Sequence, residues 1–291
     1  GAADALAEAP PPPPALVEIF ADTQNPVCEV PDKLFGIFIE DVNGAADGGL
    51  YAELIKNRSF EFRHSLSDWG THGDVAVRSD DPAFKNNPRY VRMKAFRAGP
   101  RKRMVGSFLE NKGFWGGMGI RKGETYRVSF YARAPKPLKI GLYLMSAGNE
   151  VIAKPKVAVT VDSNQWKRYE TQMTASRMEP NGRFIFELAD EGTVDVDHIS
   201  MFPKTTWQGR ENGLRPDLMH ALYDLKPKHF RFPGGCIVEG LFLKDRYRWK
   251  NSVGAVEERI PVQSMWGMSP EKFVPGYVQS LGLGFYEYFL M

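Results

Sequence analysis

Apolar and polar positions alternate with a period of two through the middle of the chain. Tyr126, Val128, Phe130 and Ala132 fall on one side of an extended segment, with Arg127, Ser129 and Arg133 on the other. Leu138, Ile140, Leu142 and Leu144 repeat the pattern, followed by Val157, Val159 and Val161 and then by Phe184, Phe186 and Leu188. Turn-forming residues separate the runs at Lys122-Gly123, Pro135-Lys136-Pro137, Ala147-Gly148-Asn149, Asp162-Ser163-Asn164, Pro180-Asn181-Gly182 and Glu191-Gly192. Successive side chains of a strand point to opposite faces, so the alternation predicts strands with one face buried. Several such strands with regular turns predict an antiparallel, jelly-roll-like β-sandwich over residues 63–203.

The flanking pattern is different. Residues 34–39 form a nearly continuous apolar run, as expected of a strand buried on both faces of a parallel sheet, and Glu40 stands where that strand should end. A loop rich in Asn, Asp and Gly follows, then Leu50, Leu54 and Ile55 at a spacing that predicts a short helix. Strand, acidic end, loop and helix together read as the first βα unit of a (β/α)₈ barrel, a fold in which function collects at the C-terminal ends of strands. Leu214, Leu218, Ala221, Leu222 and Leu225 predict a second helix, opened by Pro216 and Asp217 and closed by Pro227. Residues 229–232 then predict a second parallel strand, ending in Pro233-Gly234-Gly235, and residues 282–291 predict the start of another helix. Before all this, residues 15–21 alternate like a strand. A second short strand is expected around Val27 and Val30, with Cys28 as a small buried hydrophobe. Pro10 to Pro14 reads as a stiff tether. The expected organisation is a tether over residues 1–14, N-terminal strands and a first βα unit over 15–62, the sandwich over 63–203, and a second, truncated βα unit over 204–291.

Composition narrows the function classes. A net charge of +3 over 291 residues lacks the concentrated basic stripe of a nucleic-acid binder. Arg101-Lys102-Arg103 is the one tight basic cluster and reads as a solvated turn. No apolar run approaches a membrane span, and no signal peptide is visible, although Gly1-Ala-Ala-Asp4 has the look of a processed end. Two cysteines, Cys28 and Cys236, are too few for a disulfide framework and are not expected to pair.

Three separated motifs sharpen the reading. Leu34-Phe-Gly-Ile-Phe-Ile-Glu-Asp-Val-Asn43, continuing from Asp47 to Phe60, is the first. Arg231-Phe-Pro-Gly-Gly-Cys-Ile-Val-Glu-Gly240 and Arg246-Tyr-Arg-Trp-Lys250 follow in order. In this wording the chain from about Leu34 onward resembles the α-L-arabinofuranosidases of glycoside hydrolase family 51, in the branch with a module inserted after the first barrel strand. The resemblance implies a secreted, retaining glycosidase that removes arabinose side chains from arabinan or arabinoxylan without metal or cofactor. It implies that Glu40 accepts hydrogen bonds from arabinose hydroxyls and that Cys236 presents a backbone N–H to the sugar. It further implies that Arg231 orients the surrounding carboxylates and that Trp266 caps the furanose. The chain departs from the family at Gly44, where a bulkier residue such as His is common, and over residues 260–278.

No catalytic residue is expected in this chain. Retaining hydrolysis needs two carboxyl groups about 5–5.5 Å apart, one as nucleophile and one as acid/base. The resemblance puts both glutamates on later barrel strands, beyond Met291. Asn149-Glu150 lies at a sandwich turn, and adjacent Glu257 and Glu258 on an extended chain point in opposite directions. Outside the sandwich about 150 residues remain, against ~250 for a whole barrel, so the rest of the barrel is an expected partner, on the same polypeptide or another. The alternative is a non-catalytic extracellular carbohydrate-binding or structural module descended from that family. Trp69, Phe114, Trp115 and Trp166 are either sugar-stacking platforms or fillers of the sandwich and its contacts, and the residues alone leave both open.

Overall fold

A computed structural model describes residues 17–267 and 277–291. A lone short strand, β1 (Ile37–Phe38), precedes the sandwich. Thirteen strands then follow without a helix between them. The first six are β2 (Trp69–His72), β3 (Asp74–Arg78), β4 (Tyr90–Ala98), β5 (Arg103–Val105), β6 (Ser107–Asn111) and β7 (Met118–Ile120). The next four are β8 (Thr125–Arg133), β9 (Leu138–Met145), β10 (Val151–Ala153) and β11 (Val159–Val161). The last three are β12 (Lys167–Thr174), β13 (Glu179–Leu188) and β14 (Gly192–Pro203). After them come α1 (Pro216–Asp224), β15 (Phe230–Arg231), α2 (Cys236–Glu239), β16 (Val262–Gln263), β17 (Val278–Gln279) and α3 (Phe285–Phe289).

Strands β2 to β14 form two antiparallel sheets. One runs β10-β9-β13-β6-β2 with β11 and β7 as side branches; the other runs β12-β8-β14-β4-β3 with β5 on β4. The predicted alternation holds in detail: Tyr126, Val128, Phe130 and Ala132 are buried, as are the four leucine and isoleucine positions of β9 and Phe184, Phe186 and Leu188. These residues share one continuous core, where each large side chain contributes about 1.5–3 kcal/mol by leaving water. Arg101 to Arg103 is exposed beside a turn, as its composition suggests. Two details differ from the sequence reading. Val157 is exposed, and β11 begins two residues later. Pro180-Asn181-Gly182 lies inside β13 rather than at a turn, where the pairing with β7 shifts register between Glu179 and Gly182. An irregular strand end of this kind tolerates a residue that has no ladder N–H.

A second core joins the flanking residues to the sandwich. Ile39, Leu50, Tyr51, Trp207, Leu214, Met219, Leu283 and Tyr288 meet Phe202 of β14 there. Within it β1 and β15 pair in parallel, Ile37 opposite Phe230 and Phe38 opposite Arg231. Helix α1 opens at Pro216 as predicted, but its buried residue is Met219, while Ala221 and Leu225 face solvent.

Several predicted flanking elements are absent. The run 34–39 yields only a two-residue strand; Leu34 sits in a 3₁₀ turn, and Phe35 and Phe38 are exposed. Among the described residues β15 is the one strand that pairs with β1, so the other edge of β1 is unpaired. No helix follows the first loop. Ala52 N instead donates to Gly213 O (3.2 Å) and Leu54 N to Met201 O (2.9 Å), so long-range bonds hold residues 52–54 where local spacing favoured a helix. The first βα unit therefore lacks its helix. Residues 17–30 carry no strand, and Val17, Ile19, Phe20, Val27 and Val30 are exposed, since no sheet edge among the described residues pairs with them. Cys28 is exposed rather than buried, and it and Cys236 are both free thiols. The tether over residues 1–14 lies outside the described residues. No helix among those described is long and apolar enough to cross a membrane.

The sandwich is fastened to the flanks by polar contacts. Glu53 is buried, accepts bonds from Ile55 N (3.0 Å) and Met201 N (2.8 Å), and also meets Ser200 Oγ. Arg58 Nη1 lies 3.3 Å from the same carboxylate, and burial pushes the Glu53 carboxyl upward against that pull. On the far side, Asn87 Nδ2 donates to Glu257 O (2.6 Å) and Arg259 O (2.9 Å).

Candidate functional site

The β1–β15 pair delivers two chain ends to the same place. Ile37 N donates to His229 O (3.0 Å) and Ile39 N to Arg231 O (2.9 Å), so both strands run out together. Glu40 follows β1, and Pro233-Gly234-Gly235 follows β15. The glycine at 234 is required by close approach: a Cβ there would stand 2.9 Å from Glu40 Cγ and 2.5 Å from Ile237 Cγ1. Helix α2 begins directly after, and Ile237 N donates to Glu40 Oε1 (3.0 Å). Oε1 is thereby committed to the backbone, while Oε2 has no bond among the described residues.

Arg231 packs its guanidinium over the Phe38 ring, 4.3 Å from the centroid. An added Cβ at Gly235 would lie 3.5 Å from Arg231 Nη2 and 4.0 Å from Glu40 Oε2, so the two charged groups converge above that glycine. Arg231 makes no ion pair among the described residues; the carboxylates that the resemblance asks it to orient reduce here to Glu40. Cys236 is the first residue of α2 and is exposed. Trp266 sits in the turn Met265–Gly267 alongside α2 and is half-exposed. The structure thus brings Glu40, Arg231 and Cys236 together and sets the Trp266 turn beside them. Much of the divergent segment 260–278 falls outside the described residues, but its Tyr277 hydroxyl accepts a bond from Asn43 N (2.6 Å), tying that segment to the first loop.

The sequence reading missed the buried acids beneath this loop. Asp41 Oδ1 accepts from Ala46 N (3.0 Å), and the group is pushed up to about 7 by burial, with Asp47 as the second cause. Asp47 accepts from Ser280 N (2.5 Å) and Ser280 Oγ (2.8 Å) and is raised by its own burial. Asp41 and Asp47 line a small cavity with Pro233, Tyr247 and Tyr288. Nothing local signalled that Ser280, more than two hundred residues away in sequence, would bond to Asp47.

The other acidic candidates are engaged elsewhere. The Glu258 carboxylate accepts from Lys85 N (3.3 Å) and Asn86 N (2.9 Å), and the Glu257 carboxylate meets Tyr131 Oη (3.3 Å). Glu150 pairs with Arg177 on the sandwich. The aromatics divide. Trp69 is buried and donates from Nε1 to Asn57 O (2.9 Å), and Trp166 donates to Asp81 O (2.9 Å) beneath the Arg133 guanidinium. Phe114 rests on Gly48. Trp115 is 68% exposed, donates from Nε1 to Gly48 O (2.9 Å), and sets its ring edge where a side chain at Gly44 would be. The departure at Gly44 thus makes room for an indole supplied by the sandwich.

A carboxylate oxygen, a guanidinium and helix-opening N–H groups around a half-exposed indole form a surface suited to an uncharged polyhydroxyl ligand. Comparison with known proteins agrees with that chemistry. Residues 221–291 match the model of the α-L-arabinofuranosidase 1 domain, and residues 52–193 match a carbohydrate binding domain. An extracellular exo-α-L-arabinofuranosidase of Streptomyces chartreusis is 34% identical over 279 residues, 89% of this chain and 31% of that protein. Alpha-L-arabinofuranosidase 1 of Arabidopsis thaliana is 34% identical over 275 residues, 90% of this chain and 39% of its own. The solved structure of an arabinose-bound family 51 α-L-arabinofuranosidase superposes with a TM-score of 0.76 at 26% identity, covering 92% of this chain and 43% of that one. Over about nine tenths of its length the chain is therefore similar to α-L-arabinofuranosidases, including one of glycoside hydrolase family 51, and it spans between 31% and 43% of the length of these three relatives.

Proposed function

We propose that this chain supplies the arabinose-binding part of a retaining α-L-arabinofuranosidase that removes arabinofuranosyl side chains from arabinan or arabinoxylan. The observation that carries the reading is the convergence of Glu40, Arg231 and the opening of α2 at the C-terminal ends of a parallel strand pair. That is where ligands collect in a (β/α)₈ barrel. In this reading β1 and β15 are the first two strands of such a barrel, and residues 15–62 and 204–291 are its share in this chain. Residues 63–203 are an inserted carbohydrate-binding-module-like sandwich.

Glu40 Oε2 accepts hydrogen bonds from sugar hydroxyls while Oε1 stays anchored on Ile237 N. The Cys236 N–H donates to a sugar oxygen, Arg231 holds the carboxylate side of the site, and the Trp266 indole closes over the apolar face of the furanose. The nucleophile and acid/base glutamates, about 5–5.5 Å apart, come from the rest of the barrel, beyond Met291 or on a partner chain. The reaction needs no metal or cofactor. An extracellular setting is supported by the Streptomyces relative, which is named extracellular.

The test uses the full polypeptide and methyl α-L-arabinofuranoside. Glu40→Gln is expected to lower kcat/KM about tenfold to a hundredfold, the worth of one hydrogen bond to a charged group. An unchanged value removes Glu40 from the site. A full polypeptide that binds arabinose but never releases it from the glycoside is a binding module and not a hydrolase.

A further inference from the structure

We propose that Trp115 forms a second sugar subsite, where the sandwich takes a neighbouring ring of the polysaccharide whose arabinose is held at Glu40. This rests on the arabinofuranosidase reading of the Glu40 site. Of the six tryptophans, Trp115 is the most exposed: 68%, against 6% for Trp69, 9% for Trp207, 46% for Trp266 and 50% for Trp249, with Trp166 half-buried. Exposure alone means little, since isolated surface apolar residues are common. What distinguishes this indole is that it is exposed and fixed at once. Its Nε1 is spent on Gly48 O, and its ring edge abuts Gly44, so a Cβ at Gly44 would come within 2.5 Å of Cζ2. Phe114 closes on Gly48 in the same way, at 2.6 Å. Gly44 and Gly48 both hold positive φ, 68° and 79°, a conformation that excludes most side chains and here also admits the two aromatics.

The position is also informative. Gly44 and Gly48 belong to the loop that leaves Glu40, and Asn43 of that loop is bonded to Tyr277. The loop thus runs from Glu40 to the two glycines on which the indole and Phe114 rest. Trp115 further lines a cleft of about 390 Å³ between the loop and the sandwich, with Phe114, Arg121, Glu179 and Asp217 on its walls. Small-molecule sites run to ~300–1,000 Å³ and combine apolar walls with a few polar groups. A sugar ring has an apolar C–H face for the indole and hydroxyls for the polar wall, where Arg121 and Asp217 are already paired at 3.3 Å and Glu179 accepts from Asn181 N on one oxygen. Because the indole is already held, stacking on it costs little ordering entropy.

The experiment compares a ligand that reaches only the Glu40 site with one that extends beyond it, in the full polypeptide. The probes are methyl α-L-arabinofuranoside and α-1,5-linked arabinotriose. Trp115→Ala is expected to lower the ratio of kcat/KM for arabinotriose to that for the methyl glycoside about five- to tenfold, the worth of one aromatic face. Trp115→Phe keeps a ring and should retain most of that ratio. A ratio within twofold of wild type in Trp115→Ala overturns the subsite while leaving the Glu40 reading intact. Equal losses on both substrates also overturn it, because they mark Trp115 as a structural support of the loop. A wild-type polypeptide inactive on both substrates overturns the arabinofuranosidase reading, and the subsite with it.

Discussion

Single residues at the end of β1 carry opposite demands. Glu40 leaves Oε2 without a bond among the described residues, whereas Asp41, its neighbour, is buried at 7% exposure against Asp47. The Asp41 carboxyl is pushed up from 3.8 to about 7, so the folded protein binds a proton that the unfolded chain has released over most of that interval. Stability from this group is therefore greatest below the unfolded value and falls as pH rises towards 7. Asp41→Asn keeps the acceptor for Ala46 N and removes the titration. The variant is expected to gain on wild type as pH rises, by about 1–3 kcal/mol between pH 5 and pH 8, in urea unfolding at the two pH values. A difference that does not change with pH removes Asp41 as the source. At Gly234 the demand is steric. Gly234→Ala puts a Cβ against Glu40 Cγ and Ile237 Cγ1, and overpacking of that kind is expected to cost about 1–3 kcal/mol in the same assay.

At the scale of elements, strands that bury one face were legible in extent and the short parallel pair was not. β8 reads as intermediate and buried in strict turn along all nine residues, because its two faces meet core and solvent. Phe130 lies at its centre, fully buried, with its ring 5.1 Å from Phe186 and 5.7 Å from Tyr169. Phe130→Ala is expected to destabilise by about 3–5 kcal/mol, seen as a fall in the urea midpoint with an unchanged slope. A loss below 1 kcal/mol would place the main sandwich core elsewhere. Residues 50–55 show the converse. Leu50 and Ile55 are buried as their pattern suggests, but the backbone there bonds to Gly213 and Met201, so no helix forms. Their spacing reported burial correctly and geometry incorrectly.

At the scale of the whole molecule, the sandwich and the parallel pair are held as one body by contacts distant in sequence. Phe202 of β14 sits in the core built around β1 and β15, and Glu53 bridges to Ser200 and Met201. Across the other side, Asn87 reaches the backbone of Glu257 and Arg259, while Arg259 forms a partly buried pair with Glu287 of α3 (2.8 Å). Asn87→Ala leaves the buried Arg259 carbonyl and the partly buried Glu257 carbonyl without their donor and is expected to cost about 1–3 kcal/mol. If the joint couples the two cores, hydrogen exchange should quicken in residues 256–259 as well as in the sandwich loop. Quickening confined to the loop would show that the cores open independently.

The amino-acid sequence by itself determined the alternating strands of the sandwich and the helix opened by Pro216, which follow from local periodicity and from residue types whose backbone preferences are strong. That Glu40 and the Pro-Gly-Gly turn share one site was implied by the family resemblance. Tertiary structure decided the rest. It buried Asp41 and Asp47, bonded Asp47 to Ser280, left residues 17–30 and Cys28 in solvent, unmade the helix after the first loop, and placed Trp115 against Gly44. Each of those outcomes depends on which distant segment arrives at a given surface, and a pairing across a hundred or more residues leaves no trace in the spacing of its neighbours.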